Sequence, residues 1–363
     1  MAKIICKPAS RSIGVDLGKR TSHVCVLVDG EVEREFKVSS TAEAWQKAFE
    51  PLERGRLIME VGGPSPWVSR LLSKMGFDVW VVTPWTLKEI FKKQQRRKND
   101  RNDARALALA GSQSPGMLKR IEHNGEQVQR DRITIVQRDT LVRARTRMIG
   151  CLRGVLGSLG IDVPICSSDA INRRIEEHVP QELRTSLAPM LVAVATISAQ
   201  IKRLDDQIEE LGERYAATKV VSQIKGVGTL TGLTFVLKVE DPRRFSSNRS
   251  VGAYFGLAQG QQQSGERDPQ MPITKAGDDL MRRLLVQSAH YILGPFGEDS
   301  DLKRFGEAIA ARGGPRAKRR AVVAVARRLA VLMLSLWKSG EVYEPLRITN
   351  ARLAAANNSM STN

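Results

Sequence analysis

The sequence predicts an α/β domain followed by two mostly helical regions. Three observations point there. Short β-branched runs alternate with helix-length amphipathic stretches up to about residue 115. From there to about residue 215 apolar residues recur at helical spacing. Beyond that, Gly-punctuated helical segments run to about residue 348. The predicted organisation is an α/β domain over 1–115, a helical coiled-coil region over 116–215, a mostly helical domain over 216–348, and a small, polar, flexible tail over 349–363. With 363 residues, 42% of them hydrophobic, the chain can bury cores in two or three domains.

Residues 12–18, 22–28 and 31–38 read as three short strands, with Asp29-Gly30 as a two-residue hairpin signal between the second and third. A helix follows over 41–53, with Thr41 as its cap. A strand over 56–61, a helix over 64–75 and a strand over 78–83 come next, then a helix over 104–111. Three strands in a meander, then helix, strand, helix, strand, helix, is the order of a ribonuclease-H-like fold, an order that a different α/β fold can share. In the middle region Met190, Val194, Ile197, Ile201, Leu204, Ile208 and Leu211 alternate spacings of four and three, an a/d seam. Met148, Leu152, Val155 and Leu159 make a looser one. Two such helices can fold back as a hairpin or pair with another chain, and a homodimer or tetramer is expected through this region.

Charge narrows the partner. The chain carries 57 Lys and Arg against 39 Asp and Glu, a net +18. A field of that sign concentrates polyanions, and nucleic acid is the commonest partner. The cations cluster over 88–105, where Lys98 and Arg101 stand, and again over 312–328, where Arg316, Lys318, Arg319 and Arg320 stand without an acid among them. Ile224-Lys225-Gly226-Val227-Gly228 reads as a Gly-rich turn before a helix, whose N–H groups at Gly226 and Gly228 suit a phosphate. The four cysteines lack metal-ligand spacing and read as free thiols of a reducing compartment. No secretory signal or membrane span is read, so the expected location is the cytoplasm, nucleoid-associated in a bacterial-type cell, with no membrane partner.

Four acids stand out. Asp16 lies in Ile13-Gly14-Val15-Asp16-Leu17-Gly18 and Glu60 ends Leu57-Ile58-Met59. A carboxylate among apolar strand residues is costly to bury unless it is paired or metal-bound. Asp100 and Asp103, three apart at a helix start, project to one face. Together they suit Mg²⁺, a hard cation that takes a few carboxylates plus phosphate oxygens. Read singly, each acid could as well be a surface ion pair or, for Asp103, a helix cap. The glycine-flanked acids also bring to mind the phosphate loops of actin-like sugar kinases. Such a kinase needs a second copy of the fold and an adenosine motif, and the sequence has neither.

These motifs, residues 13–18, 57–63 and 98–104, resemble the carboxylate motifs of the DEDD-type insertion-sequence transposases of the IS110 family. The likeness continues through residues 224–232, Asp241-Pro242-Arg243-Arg244-Phe245, Ala253-Tyr254-Phe255-Gly256-Leu257, Ser264-Gly265 and Ile273-Thr274-Lys275-Ala276-Gly277-Asp278. It implies a ribonuclease-H-like domain similar to Holliday-junction resolvases, with Asp16, Glu60, Asp100 and Asp103 as the Mg²⁺-binding acids. It further implies a C-terminal serine, here Ser264, that bonds covalently to DNA in a site assembled from two subunits, and a structured guide RNA that pairs with donor and target DNA. In the family two hydroxyl residues often precede this glycine and Gly-Lys follows. Here Gln261-Gln262-Gln263 precedes Ser264 and Gly265-Glu266-Arg267 follows, leaving one candidate hydroxyl. Arg267 and Lys275 are near enough in sequence to meet a phosphate. The rival readings are a water-using Mg²⁺ nuclease of the Holliday-junction type and a nucleic-acid-binding protein without activity.

Overall fold

A computed structural model describes residues 10–83, 99–113, 115–261, 271–314 and 316–360. The chain forms two compact units, Met1–Asn124 and Gly125–Asn363.

The first unit is built on one mixed sheet of order β3-β2-β1-β4-β5-β6. β1 (Arg11–Asp16), β2 (Thr21–Val28) and β3 (Glu31–Ser39) form an antiparallel meander. Asp29 and Gly30 both have positive φ, 46° and 90°, the turn that matches strand twist in a two-residue hairpin. β4 (Arg56–Glu60) runs parallel to β1, and β5 (Asp78–Val82) parallel to β4. A two-residue strand, β6 (Arg120–Ile121), pairs antiparallel with β5. Sequence reading missed it, because two residues carry no periodic pattern.

Strand side chains alternate between faces. Ile13, Val15, Val24, Val26, Leu57 and Met59 point to one side, where they meet Trp45 and Phe49 of α1 (Ala42–Phe49) and Val68 and Leu72 of α2 (Ser65–Lys74). Thr41 caps α1, accepting from Ala44 N–H at 3.3 Å. The helix stops at Phe49, short of the expected 53, since Pro51 has no backbone N–H with which to continue the ladder beyond its cap Glu50.

The opposite face carries α3 (Asp100–Gln113). It begins four residues earlier than expected because Asn99 Oδ1 accepts from the N–H groups of Arg101 and Asn102, at 2.8 and 3.1 Å. α3 lies almost on the backbone of β1. A Cβ on Gly14 would stand 2.0 Å from Ala104 O and 2.3 Å from Ala108 N. Ser12 Oγ donates to Ala108 O at 2.8 Å.

In the second unit α4 (Glu126–Ser158) and α6 (Gln181–Arg214) pack side by side, with α5 (Ile171–His178) near one end. Val194, Ile201, Ile208 and Leu211 of the expected seam are buried, and Met190, Ile197 and Leu204 are half-buried. The seam is thus largely closed within the chain. Of the looser set on α4, Leu152 is buried and Met148 half-buried, while Val155 and Leu159 are exposed, and Leu156 is buried in their place. The four-residue step keeps Leu156 over Leu152 on one helix face. α6 is also long and apolar enough, by length and composition, to cross a membrane. At the base of the hairpin Asp131 is buried and accepts from Tyr215 Oη at 2.6 Å, Gln127 at 3.1 Å and Arg214 at 3.4 Å.

The rest of this unit is helical. α7 (Ala216–Val221), α8 (Thr229–Val239), α9 (Ser250–Tyr254), α10 (Asp279–Leu293) and α11 (Asp301–Ala310) surround α12 (Ala317–Ser339). The segment expected as a flexible tail carries α13 (Arg347–Met360). Its start is held by Asp301, whose carboxylate accepts from the N–H groups of Ile348 and Thr349.

Two outcomes follow from this packing. Gly14→Ala is expected to lower the unfolding free energy by about 3 kcal/mol, read from the urea midpoint, because neither Ala104 O nor Ala108 N can move without lifting α3. An unchanged midpoint would mean that α3 is not seated there. Tyr215 has its phenol pKa pushed up to about 12 by burial, with the Asp131 hydrogen bond and charge adding to it. A pKa raised on folding stabilises fully below the unfolded value near 10 and is lost as pH rises through the folded value. Stability should therefore fall between pH 10 and about 12. Tyr215→Phe should show a shallower fall across that window in denaturant titrations, and equal slopes would remove Tyr215 from the account.

Candidate functional site

The expected acids come from three elements that meet at one end of the first unit's sheet. Asp16 is the last residue of β1 and Glu60 the last of β4. The two strands are parallel neighbours, with Val15 opposite Met59, so the two acids end adjacent strands at the same level. Their side chains fall on the face of Ser12, Gly14 and Ile58, which is the face α3 covers. α3 runs antiparallel to β1, from Asp100 near the end of β1 to Gly111, whose carbonyl accepts from Arg56 at 3.0 Å. Asp100 and Asp103 thus occupy the first helical turn over the Asp16 end of the sheet. Carboxylates there are favoured by the helix dipole.

The register of β1 and β2 brings in a residue that sequence reading did not single out. His23 pairs with Asp16 across the strands, and its Nε2 lies 3.8 Å from Asp100 Oδ2. Lys37 of β3 pairs in turn with His23. Glu60, Asp16, His23 and Lys37 form one row across four strands. No local pattern announces His23, since a lone His in a strand gains meaning only from the strand beside it. Arg101, between the two α3 acids, pairs through its Nε at 2.7 Å with Glu35, two residues before Lys37 on β3. Among the described residues no three His, Cys, Asp or Glu side chains are gathered closely enough to hold a metal ion.

The second unit holds the remaining sites. Ser264 and Arg267 lie outside the described residues, as does Lys98 of the first unit. The chain on either side of 262–270 is described. Gly260 N–H donates to Pro272 O at 3.0 Å, Thr274 N–H to Ala258 O at 2.9 Å, and Lys275 N–H to Gly256 O at 3.1 Å. The two flanks of the Ser264 segment are therefore zipped together. Two glycines with positive φ permit this. A Cβ would stand 2.0 Å from Ala276 O at Gly256 and 2.1 Å from Tyr254 O at Gly277. Lys275 itself sits in the left-handed region, φ 54°, with its side chain exposed. Beneath it Arg282 Nη1 donates to the carbonyls of Phe255 and Lys275, at 3.2 and 3.1 Å. Asp278 accepts from Met281 N–H at 2.8 Å and pairs with Lys238, whose pKa is lowered chiefly by burial.

Gly226 turns the chain between α7 and α8 with φ 94° and packs against α10, where a Cβ would meet Tyr291 Cδ1 at 2.8 Å. Gly228 is exposed and caps α8. At α12 the expected basic face is present. Val322, Val325 and Leu329 are buried, while Arg316, Lys318, Arg319 and Arg320 are exposed and make no ion pair among the described residues. Arg328 turns inward, over the Phe305 ring at 4.5 Å. Four unpaired cations at a helix N-terminus oppose the helix dipole, an arrangement that an anion relieves.

Comparison with known families defines the class of protein to which these two units belong, the transposases. Residues 13–160 match the family model of the DEDD transposases of IS110 type, and residues 218–304 match that of the transposase IS116/IS110/IS902 family. The transposase for insertion sequence element IS1111A of Coxiella burnetii is 28% identical over 351 residues, covering 91% of this chain and 90% of its own length. The transposase for insertion sequence element IS1328 of Yersinia enterocolitica is 29% identical over 287 residues, covering 76% and 82%. The chain belongs to the IS110 family of transposases, enzymes that cut and rejoin DNA.

If the α12 cations meet phosphates, replacing Lys318, Arg319 and Arg320 by Gln should weaken duplex DNA binding by at least about tenfold at 0.1 M salt. It should also flatten the slope of log K against log salt by up to about three. A slope equal to the parent's would place the DNA elsewhere.

Proposed function

We propose that this transposase works through a covalent phosphoserine intermediate formed on Ser264, with Asp16, Glu60, Asp100 and Asp103 holding Mg²⁺ at the scissile phosphate. The observation that carries the proposal is the convergence of β1, β4 and the first turn of α3 at one sheet end, each ending or starting on an acid. The sheet order, with an antiparallel meander leading into parallel strands, supports a ribonuclease-H-like reading of the first unit. The four acids offer the carboxylate oxygens that a hard divalent cation takes, and binding would draw them closer together, with His23 beside Asp16 and Asp100. Bound Mg²⁺ would supply charge neutralisation of the phosphate and polarise its oxygens.

The chain's own residues do the rest. Ser264 Oγ attacks phosphorus in line, an O–P bond forms, and one DNA hydroxyl leaves with the proton that the serine gives up. A second DNA hydroxyl then attacks the phosphoserine and restores the serine. The bond energy is kept throughout, so no nucleotide cofactor is needed. Lys275, at the base of the zipped flanks, and Arg267 meet phosphate oxygens. Lys98, Arg101, the Gly226 and Gly228 turn and the cations from Arg316 to Arg320 hold nucleic-acid backbones. A structured guide RNA selects donor and target DNA by base pairing, which the net charge of +18 suits. A homodimer or tetramer carries out the exchange, with the α4–α6 hairpin contributing to the coiled coil between subunits.

The test is a covalent-adduct assay with labelled DNA, Mg²⁺ and RNA from the element's flanking region, followed by denaturation. A protein–DNA band is expected, lost in Ser264→Ala and reduced at least about a hundredfold in Asp100→Ala with DNA binding kept. Cleavage without a band, unchanged in Ser264→Ala, would replace this mechanism by a water-using metal nuclease.

A further inference from the structure

The loop that carries the chain away from Glu60 is held by a hydrogen-bond cluster. Val61 N–H donates to Val82 O at 2.9 Å, so the hold of β5 on this strand runs one residue past Glu60. Gly62 then gives both its backbone groups to one side chain. Its N–H donates to Ser65 Oγ at 3.0 Å, and Ser65 Oγ donates to Gly62 O at 2.8 Å. Ser65 opens α2 and is fully buried. A hydroxyl has one proton and two lone pairs. Gly62 takes the proton and one lone pair. The other faces His123 Nε2 at 2.9 Å. With the Oγ proton given to Gly62, Nε2 is the donor in that contact. His123 stands two residues beyond β6, so the short sixth strand delivers it to the β4–α2 loop. Burial, and then the nearby Arg70 charge, keep the ring below its ordinary pKa and neutral.

We propose that His123 is a positioning residue for the carboxylate site, acting through Ser65 and Gly62 to fix the direction in which Glu60 leaves β4. The inference rests on the reading of Glu60 as a metal ligand. Gly62 and Gly63 have no side chains of their own, and a Cβ on Gly63 would meet nothing within 4 Å. The backbone freedom of Gly62 is therefore restrained from outside, by Ser65. Removing the imidazole leaves a buried acceptor unmet and frees the hydroxyl to turn away from Gly62. Hydrogen-bond partners standing behind a ligand commonly change metal affinity by about 10–100-fold.

The experiment compares two amides at one position in the full chain. Gln places its amide nitrogen near the place of Nε2, and Asn is too short to reach Ser65. Mn²⁺ binding is measured by calorimetry without nucleic acid, and amide hydrogen exchange is followed at Gly62. His123→Asn should weaken Mn²⁺ binding about tenfold and speed exchange at Gly62, while His123→Gln should stay within about twofold of the parent in both. In a Ser65→Ala background the Asn and Gln variants should become equal, because the hydroxyl that tells them apart is gone. Asn and Gln variants that behave alike in the Ser65 protein would overturn the inference. Glu60→Gln serves as the separate control. If it leaves Mn²⁺ binding unchanged, the ligand reading of Glu60 fails, and the exchange at Gly62 still decides whether His123 holds the loop.

Discussion

The close approach of α3 to β1 is the contact on which the acidic end of the first unit depends. Gly14 allows it, because the backbone of a helix takes the space in which a side chain on β1 would stand. Ser12 on the same face tethers the helix by a hydrogen bond to Ala108 O, and Gly111 sits over Ile58 with no room for a side chain. With the helix seated so low, its first turn comes down beside the strand ends. Asp100 and Asp103 then belong with Asp16 and Glu60, although some forty residues or more of chain separate them from either.

The two units use helix ends in opposite ways. α3 begins with acids, which its dipole favours, so its first turn is stable with nothing bound. α12 begins with four cations that make no ion pair among the described residues, and its dipole opposes them. A protein keeps such a turn at some cost, and a polyanion offsets it. In a chain of net charge +18 the acidic sheet end is the exception, a local negative spot.

The helical unit shows the same economy of backbone. Gly226, Gly256 and Gly277 each take positive φ at a place where a neighbouring element leaves no room for a Cβ. At Gly256 and Gly277 they let the stretches 256–260 and 272–275 zip together. The buried Asp131, satisfied by Tyr215, Gln127 and Arg214, locks the base of the α4–α6 hairpin.

Local chemistry made much of this legible in the sequence. Alternation marked the first five strands, Asp29-Gly30 marked the hairpin, Thr41 marked a cap, and the four-three spacing on α6 marked the residues that pack against α4. Charge and acid placement marked the four carboxylates and the α12 cations. What the sequence alone left open depends on contacts between distant residues. The end of α1 turned on Pro51 and the start of α3 on the side chain of Asn99. His23 joined the acidic row only through strand register, and His123 reached Ser65 only because a two-residue strand found the sheet edge. Periodicity reports which face of an element is apolar, since that is written along one helix or strand. It cannot report which residues of another element will stand opposite, because that is decided when the backbones settle against each other.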